Sequence, residues 1–232
     1  VDNDGDGYID NYRGWDMGGN FWLAPGDNDP SWGGTGAGID HGVIVSGPAG
    51  AENDNNTNIA SLGFHCRLMQ VKVSIDFTPQ IYRGYQGVVY AADHDVDIMN
   101  LSWGGTGVSR MGEEAIRYAA VNKGVLVVAS AGNTPADLAF YPASYDHVLS
   151  VAGSEQNDLF WNTDPNFGTT YHYRVDLCAP SRDITTLRLN SGTFSATGTS
   201  LGSPIVCGIA GLVKDLFPSY TNEQVGERVR VT

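Results

Sequence analysis

From about residue 41 onward, short apolar runs alternate with segments of helical spacing, and this alternation constrains the fold more than any other feature. Leu68 to Val73, Asp97 to Ser102, Val125 to Ala129, Val148 to Val151 and Val175 to Leu177 read as strands. Between them, Pro79 to Asp93 carries Ile81, Tyr85, Val88, Val89 and Ala92 at helical spacing. Arg110 to Asn122 places Met111, Ile116 and Ala119 on one face and is followed by Gly124, a C-terminal glycine. A last apolar helix starts near Ser200. Strands of this length separated by helices predict an α/β fold, a mostly parallel central sheet with helices on both faces. In such sheets functional groups gather at the carboxyl ends of the strands.

The chain has 232 residues, enough to bury one substantial core. No apolar run reaches the ~18 residues of a membrane span. Asp plus Glu number 26 against 13 Lys plus Arg, a formal charge of −13, which argues against nucleic acid and anionic membrane surfaces as partners. Cys66, Cys178 and Cys207 lie in or beside apolar runs without Cys-x-x-Cys spacing, and read as small buried hydrophobes. The chain opens at Val1 within an acidic loop and stops at Thr232 without a turn signal, so both ends are expected to continue into a longer protein.

Residues 1 to 40 are polar and turn-rich and read as one long loop. Within it, Asp2, Asp4, Asp6, the Tyr8 carbonyl and Asp10 present oxygens at alternate positions around glycines, the donor set and spacing of a calcium loop. Arg13 stands where such a loop has its bidentate Glu, and Asp16 is the nearest substitute. Calcium is the expected ion, and residues 1–16 alone point to a calcium-dependent surface module.

Three polar segments carry chemistry. Asp40-His41-Gly42 opens a helical stretch, Ser130-Ala131-Gly132-Asn133 follows directly on a strand, and Gly198-Thr199-Ser200-Leu201-Gly202-Ser203-Pro204 opens the last helix. A serine at a helix start lies beside unpaired N–H groups and the positive end of the helix dipole. Acyl transfer needs a nucleophile, a base and an oxyanion donor around one carbonyl, and Ser200, His41 and Asn133 are those three types.

These segments resemble, in order, the blocks of the subtilisin-like serine peptidases. The serine block is similar to G-T-S-M-A-S-P-H-V-A-G, with Leu201, Gly202, Ile205 and Cys207 in place of Met, Ala, His and Ala. His41-Gly42-Val43-Ile44-Val45-Ser46-Gly47 is similar to H-G-T-H-V-A-G, with Val43, Ile44 and Ser46 in place of Thr, the second His and Ala. Ser130-Ala131-Gly132-Asn133 is similar to the A-A-G-N that ends in the oxyanion asparagine. Met99-Asn100-Leu101-Ser102-Trp103-Gly104-Gly105 resembles the substrate-binding strand, and Tyr141-Pro142-Ala143 and Val175 to Pro180 match further blocks. The resemblance implies a secreted or cell-surface serine endopeptidase acting on polypeptides. Ser200 would be the nucleophile, His41 the base and Asn133 the oxyanion donor. Ser102, Trp103 and Gly104, with Gly105, would pair with an extended substrate, and Ala131 and Gly132 would line the specificity pocket. By the same resemblance Phe140 falls where the family places residues at the pocket floor, and a ring there would shorten the pocket and favour small side chains.

The family's third catalytic group, an aspartate ending an apolar strand ahead of the histidine, has no counterpart before His41. Asp40 adjoins His41 too closely in sequence to hydrogen-bond its ring comfortably. The acid and its strand, which lies in mid-sheet in that family, are therefore expected upstream of Val1. Loss of that acid lowers turnover about 3 × 10⁴-fold in subtilisin itself, so the 232-residue chain alone is expected to be nearly inactive and poorly stable. The alternative is a catalytically inactive relative that binds peptides.

Overall fold

The computed structural model describes residues 2, 5–19, 26–32, 40–76, 78–162, 164–190 and 192–232. Asp4 of the acidic loop lies outside them. The central sheet is wholly parallel, in the order β3 (Ile98–Leu101), β4 (Leu126–Ser130), β5 (Val148–Ser154), β6 (Leu177–Pro180). Every residue of β4 is buried. Side chains alternate across a strand, so Val127 and Ala129 face one core with Val88, Ala91, Ile116 and Ala119. Leu126 and Val128 face the other, with Ile205, Val206, Ala210 and Val225. The first core is closed by α2 (Gly84–Asp93) and α3 (Arg110–Arg117), which continues as a π-helical turn over Tyr118–Asn122. The second is closed by α4 (Thr199–Leu216) and α5 (Asn222–Val231), the latter started by a Thr221/Gln224 capping box. The α/β architecture with helices on both faces is thus the one the periodicity predicts.

A separate two-stranded sheet pairs β1 (Trp15–Asp16) in parallel with β2 (Val71–Lys72). Its anchor is a buried charge cluster in which Lys72 Nζ lies 2.6 Å from both Asp16 Oδ2 and Asp76 Oδ1. Burial alone would pull the Lys72 pKa down, but the two carboxylates outweigh it and hold it above its ordinary value. Helix α2 joins β2 to β3, yet among the described residues these two strands are not paired: β2 bonds only β1 and β3 only β4.

Several boundaries differ from the sequence reading. Residues 1–40 are not loop throughout, since Trp15–Asp16 forms β1. The run from Leu68 keeps only Val71–Lys72 as strand, because Leu68 turns to pack against Gly50 at the end of α1 (His41–Gly50). Helix α2 starts at Gly84 rather than Pro79, because the N–H groups of Tyr82 and Arg83 bond back to the Val73 carbonyl. The antiparallel hairpin β7 (Ile184–Leu187) and β8 (Thr193–Ala196) has no apolar run to announce it. Only Cys207 is buried, whereas Cys66 sits in an exposed loop and Cys178 points outward from β6.

Candidate active site

A cleft of about 340 Å³ opens at the carboxyl ends of β3 and β4. Ser102, Trp103, Gly104, Gly132, Asn133, Phe140 and Ser200 all line it, together with Ser130, Thr134 and Thr199. A second cavity of about 450 Å³, between Asp137, Phe160 and Tyr173, holds none of the candidate residues.

Ser200 is the second residue of α4 and is partly buried. Thr199, ahead of it, is fully buried and tied to the β4 end. Its N–H and its hydroxyl both donate to Asn133 Oδ1, at 2.9 Å each, and its Oγ1 accepts the Gly132 N–H at 3.2 Å. With Oδ1 engaged by two donors, the Asn133 amide is fixed in one sense and its Nδ2 remains as a donor. Gly132 takes φ +108°, a backbone that side chains rarely adopt, and a Cβ there would meet Thr170 Oγ1 at 2.8 Å. Ala131 is buried, its N–H held by Val151 O.

The ring of Phe140 fills the space between the two walls of the cleft. A Cβ built on Gly104 would lie 2.5 Å from that ring, and one on Gly132 3.1 Å. Gly105 is not free to pair with a substrate, because its N–H and carbonyl both bond Tyr141. The open strand edge is therefore confined to Ser102, Trp103 and Gly104.

His41 is the first residue of α1, with Asp40 before it. It does not line the cleft, but α1 packs along α4. The carbonyls of Pro48 and Ala49 bond the N–H groups of Leu62 and Gly63, and this Leu62–Gly63 turn lies against Gly208 of α4. Ala49 stands eight residues past His41, and Gly208 eight past Ser200. At 1.5 Å per residue both contacts lie about 12 Å from the helix starts, so α1 and α4 meet at matching distances from His41 and Ser200. The Asp40 side chain makes no cap bond to α1. Burial lowers the His41 pKa, and the Asp40 charge opposes this only in part.

The acidic loop uses its carboxylates internally. Asp2 accepts the N–H groups of Gly5 and Gly7, at 2.7 and 3.0 Å. Asp6 accepts from Tyr8 N and pairs with His94 Nε2 at 2.6 Å, docking the loop on α2. Asp16 is committed elsewhere: its carboxylate takes the N–H groups of Gly18 and Gly19 and the Lys72 ammonium. It is not available to complete a loop ion site. Among the described residues no three His, Cys, Asp or Glu side chains gather closely enough to hold a metal ion. The described members of the loop therefore do not form a ready calcium site.

Comparison with known proteins identifies the family. The Subtilase family model matches residues 24–232. The thermostable alkaline protease of Halalkalibacterium halodurans is 33% identical over 193 residues, 83% of this chain and 52% of that protein. Thermitase of Thermoactinomyces vulgaris is 34% identical over 183 residues, 78% of this chain and 63% of that protein. A solved protease structure from Pseudoalteromonas arctica superposes with a TM-score of 0.77 at 21% identity, covering 92% of this chain and 74% of that one. The chain belongs to the subtilase family. It spans about half to two thirds of the length of these curated relatives.

Two functional features escaped the sequence reading: the Asn133–Thr199 bonds, and the hydroxyl of Ser102 on the Ser200 carbonyl. The second was signalled by Pro204, which lies four residues after Ser200.

Proposed function

We propose that this chain is the body of a serine endopeptidase that cleaves polypeptides through an acyl-enzyme. The observation that carries the reading is the shared cleft of Ser200, Asn133 and the Ser102–Gly104 edge. A substrate laid along that edge brings its carbonyl to the start of α4. The Ser200 hydroxyl attacks, with His41 taking its proton and returning it to the leaving amine. Asn133 Nδ2 and the Ser200 N–H receive the developing oxyanion. The depressed basicity of His41 keeps its ring neutral and able to accept at neutral pH.

The triad acid is proposed to lie on a strand between β2 and β3, parallel to both. Two facts support this: the facing edges of β2 and β3 lack a partner among the described residues, and α2 crosses from one to the other. Such a strand would reunite the two sheets and present a carboxylate at the end where α1 begins. Fluorophosphonate labelling tests the whole reading. A protein extended upstream of Val1 is expected to be labelled at Ser200, with Ser200→Ala unlabelled and residues 1–232 alone labelled at least a thousandfold more slowly, given the ~10⁴ cost of losing the acid. No labelling of the extended protein would mark it as a peptide-binding relative without catalysis.

Calcium in the acidic loop is carried forward on its spacing alone. Binding would require Asp6 to exchange His94 for the ion, with Asp2, Asp4, Asp10 and the Tyr8 carbonyl as the other donors. Calorimetry of the extended protein with CaCl₂ is expected to show one site, lost in Asp6→Ala. Export from the cell is likewise proposed, and recovery of the protein in the medium checks it.

A further inference from the structure

The helices that carry Ser200 and His41 each contain a proline: Pro204 in α4 and Pro48 in α1. A helical carbonyl at position i is bonded by the N–H of residue i+4, and proline has none. Pro204 therefore leaves the Ser200 carbonyl without its helical donor, and Pro48 does the same to Ile44. Both carbonyls are bonded instead by a hydroxyl from outside the helix. Ser102 Oγ donates to Ser200 O at 2.9 Å, and Thr186 Oγ1 donates to Ile44 O at 2.6 Å. Ser102 is 7% exposed and Thr186 0%.

The Ser200 carbonyl can only accept, so Ser102 is the donor in that bond; Ser102 Oγ also lies 3.0 Å from Ser203 Oγ, where either hydroxyl can donate. Ser203 Oγ donates to Asn100 Oδ1, and Asn100 Nδ2 donates to Ser102 Oγ at 2.9 Å. Ser102 Oγ thus accepts a hydrogen bond from Asn100 Nδ2 and donates one to Ser200 O. The result is a network of hydrogen bonds joining Ser203, Asn100, Ser102 and the Ser200 carbonyl, which returns to the helix one turn from where it started. At the α1 site, Gly47 permits the approach: a Cβ there would lie 2.4 Å from Thr186 Oγ1.

We propose that Ser102 and Thr186 are positioning residues, whose hydroxyls replace the donors that Pro204 and Pro48 lack and so lock the helices of the nucleophile and the base to the strands rather than to their own next turns. For Ser200 the consequence is direct. Its peptide is held on the carbonyl side by Ser102, the first residue of the open substrate edge, and on the amide side through Thr199 by Asn133. Nucleophile, oxyanion donor and substrate strand then move as one body. This inference rests on the peptidase reading for its kinetic consequence, but not for its structural one.

The test is a double-mutant cycle in the upstream-extended protein, because Pro204→Ala puts an N–H back opposite the Ser200 carbonyl. Ser102→Ala, Pro204→Ala and the double variant are compared by fluorophosphonate labelling rate, by kcat and KM on a peptide, and by thermal midpoint. Ser102→Ala is expected to slow labelling and kcat roughly tenfold, the loss of one buried hydrogen bond, with KM moved less than about twofold. In the Pro204→Ala background the same change is expected to cost under about threefold. Equal costs in the two backgrounds would overturn the proposal. If Ser102→Ala does not fold, Thr186→Val with and without Pro48→Ala poses the same question by thermal midpoint, with non-additivity again supporting it and additivity overturning it. Should the wild type fail to label at all, the peptidase reading falls, while the thermal cycle still decides the positioning role.

Discussion

Replacing Phe140 by alanine should convert a shallow specificity pocket into a deep one. The ring stands between Gly104 and Gly132, close enough that a single added carbon on either would touch it. The ring shares that gap with the Tyr141 carbonyl on the Gly104 side and Thr170 Oγ1 on the Gly132 side, and Phe140 itself lines the cleft beside Ser200, so its removal opens space continuous with that cleft. The backbone is held out of that space, because the Phe140 N–H donates to Ser144 Oγ and Tyr141 pairs with Gly105 on both of its polar groups. An aromatic substrate side chain entering the space gains the burial of its ring, about 1.5–3 kcal/mol. That corresponds to roughly 10- to 150-fold in kcat/KM. The assay is a set of peptide anilides differing only in Ala, Leu or Phe at the cleaved position. The ratio of kcat/KM for Phe over Ala cancels any loss of folded enzyme. Wild type is expected to prefer Ala, and Phe140→Ala to raise the Phe/Ala ratio by at least tenfold. A wild type that already favours Phe, or a ratio unmoved by the substitution, refutes the assignment of this ring to the pocket floor.

Asn133→Ala should lower kcat by ~10²–10³ with little change in KM, the loss recorded for an oxyanion donor in subtilisin, and steady-state kinetics on one peptide checks it. The His41 ring in residues 1–232 should titrate below 6.5 by NMR. Since the folded pKa lies below the unfolded one, its contribution to stability is complete above about pH 6.5 and is lost as pH falls through the folded value; in the extended protein the acid should move the midpoint upward. Lys72→Met strands two carboxylates in the β1–β2 cluster, of which Asp16 is 4% exposed. Urea unfolding should show a loss of about 3–5 kcal/mol, and a loss under about 1 kcal/mol would refute the view that this cluster holds the small sheet in place.

The sequence displays the elements that obey one period over several residues. Strand β4 is buried on both faces and so reads as an unbroken apolar run, and the α2 and α3 faces repeat at helical spacing. What it conceals is set by partners far along the chain. Asp16 looks like one more loop carboxylate until Lys72, 56 positions away, claims it. The β7–β8 hairpin has too little buried surface to leave a pattern. At the site, residue types were legible because glycine, proline and hydroxyl side chains are local punctuation. Their bonds were not, since Ser102 and Ser200 are 98 positions apart.

One departure from the family pattern has a steric cause. Gly202 stands where the serine block usually has alanine. A Cβ at this position would lie 2.6 Å from Ser181 Oγ, the next nearest atom being 3.5 Å away. Ser181 is fully buried, and its hydroxyl donates to Ala179 O at 3.0 Å. The hydroxyl thus occupies the volume that a methyl group would need, and Gly202→Ala would force it to turn and lose a buried bond, a cost of about 1–3 kcal/mol. Against this stands the gain of about 1 kcal/mol for alanine over glycine within a helix. Gly202→Ala alone should therefore be neutral to destabilising by roughly 2 kcal/mol. With Ser181→Ala already made, the obstruction is gone and only the helical gain remains, so the same substitution should stabilise by up to about 1 kcal/mol. Urea midpoints of the four variants decide the matter: a change of sign between backgrounds supports steric coupling of α4 to the β6 end, and an equal cost in both would refute it.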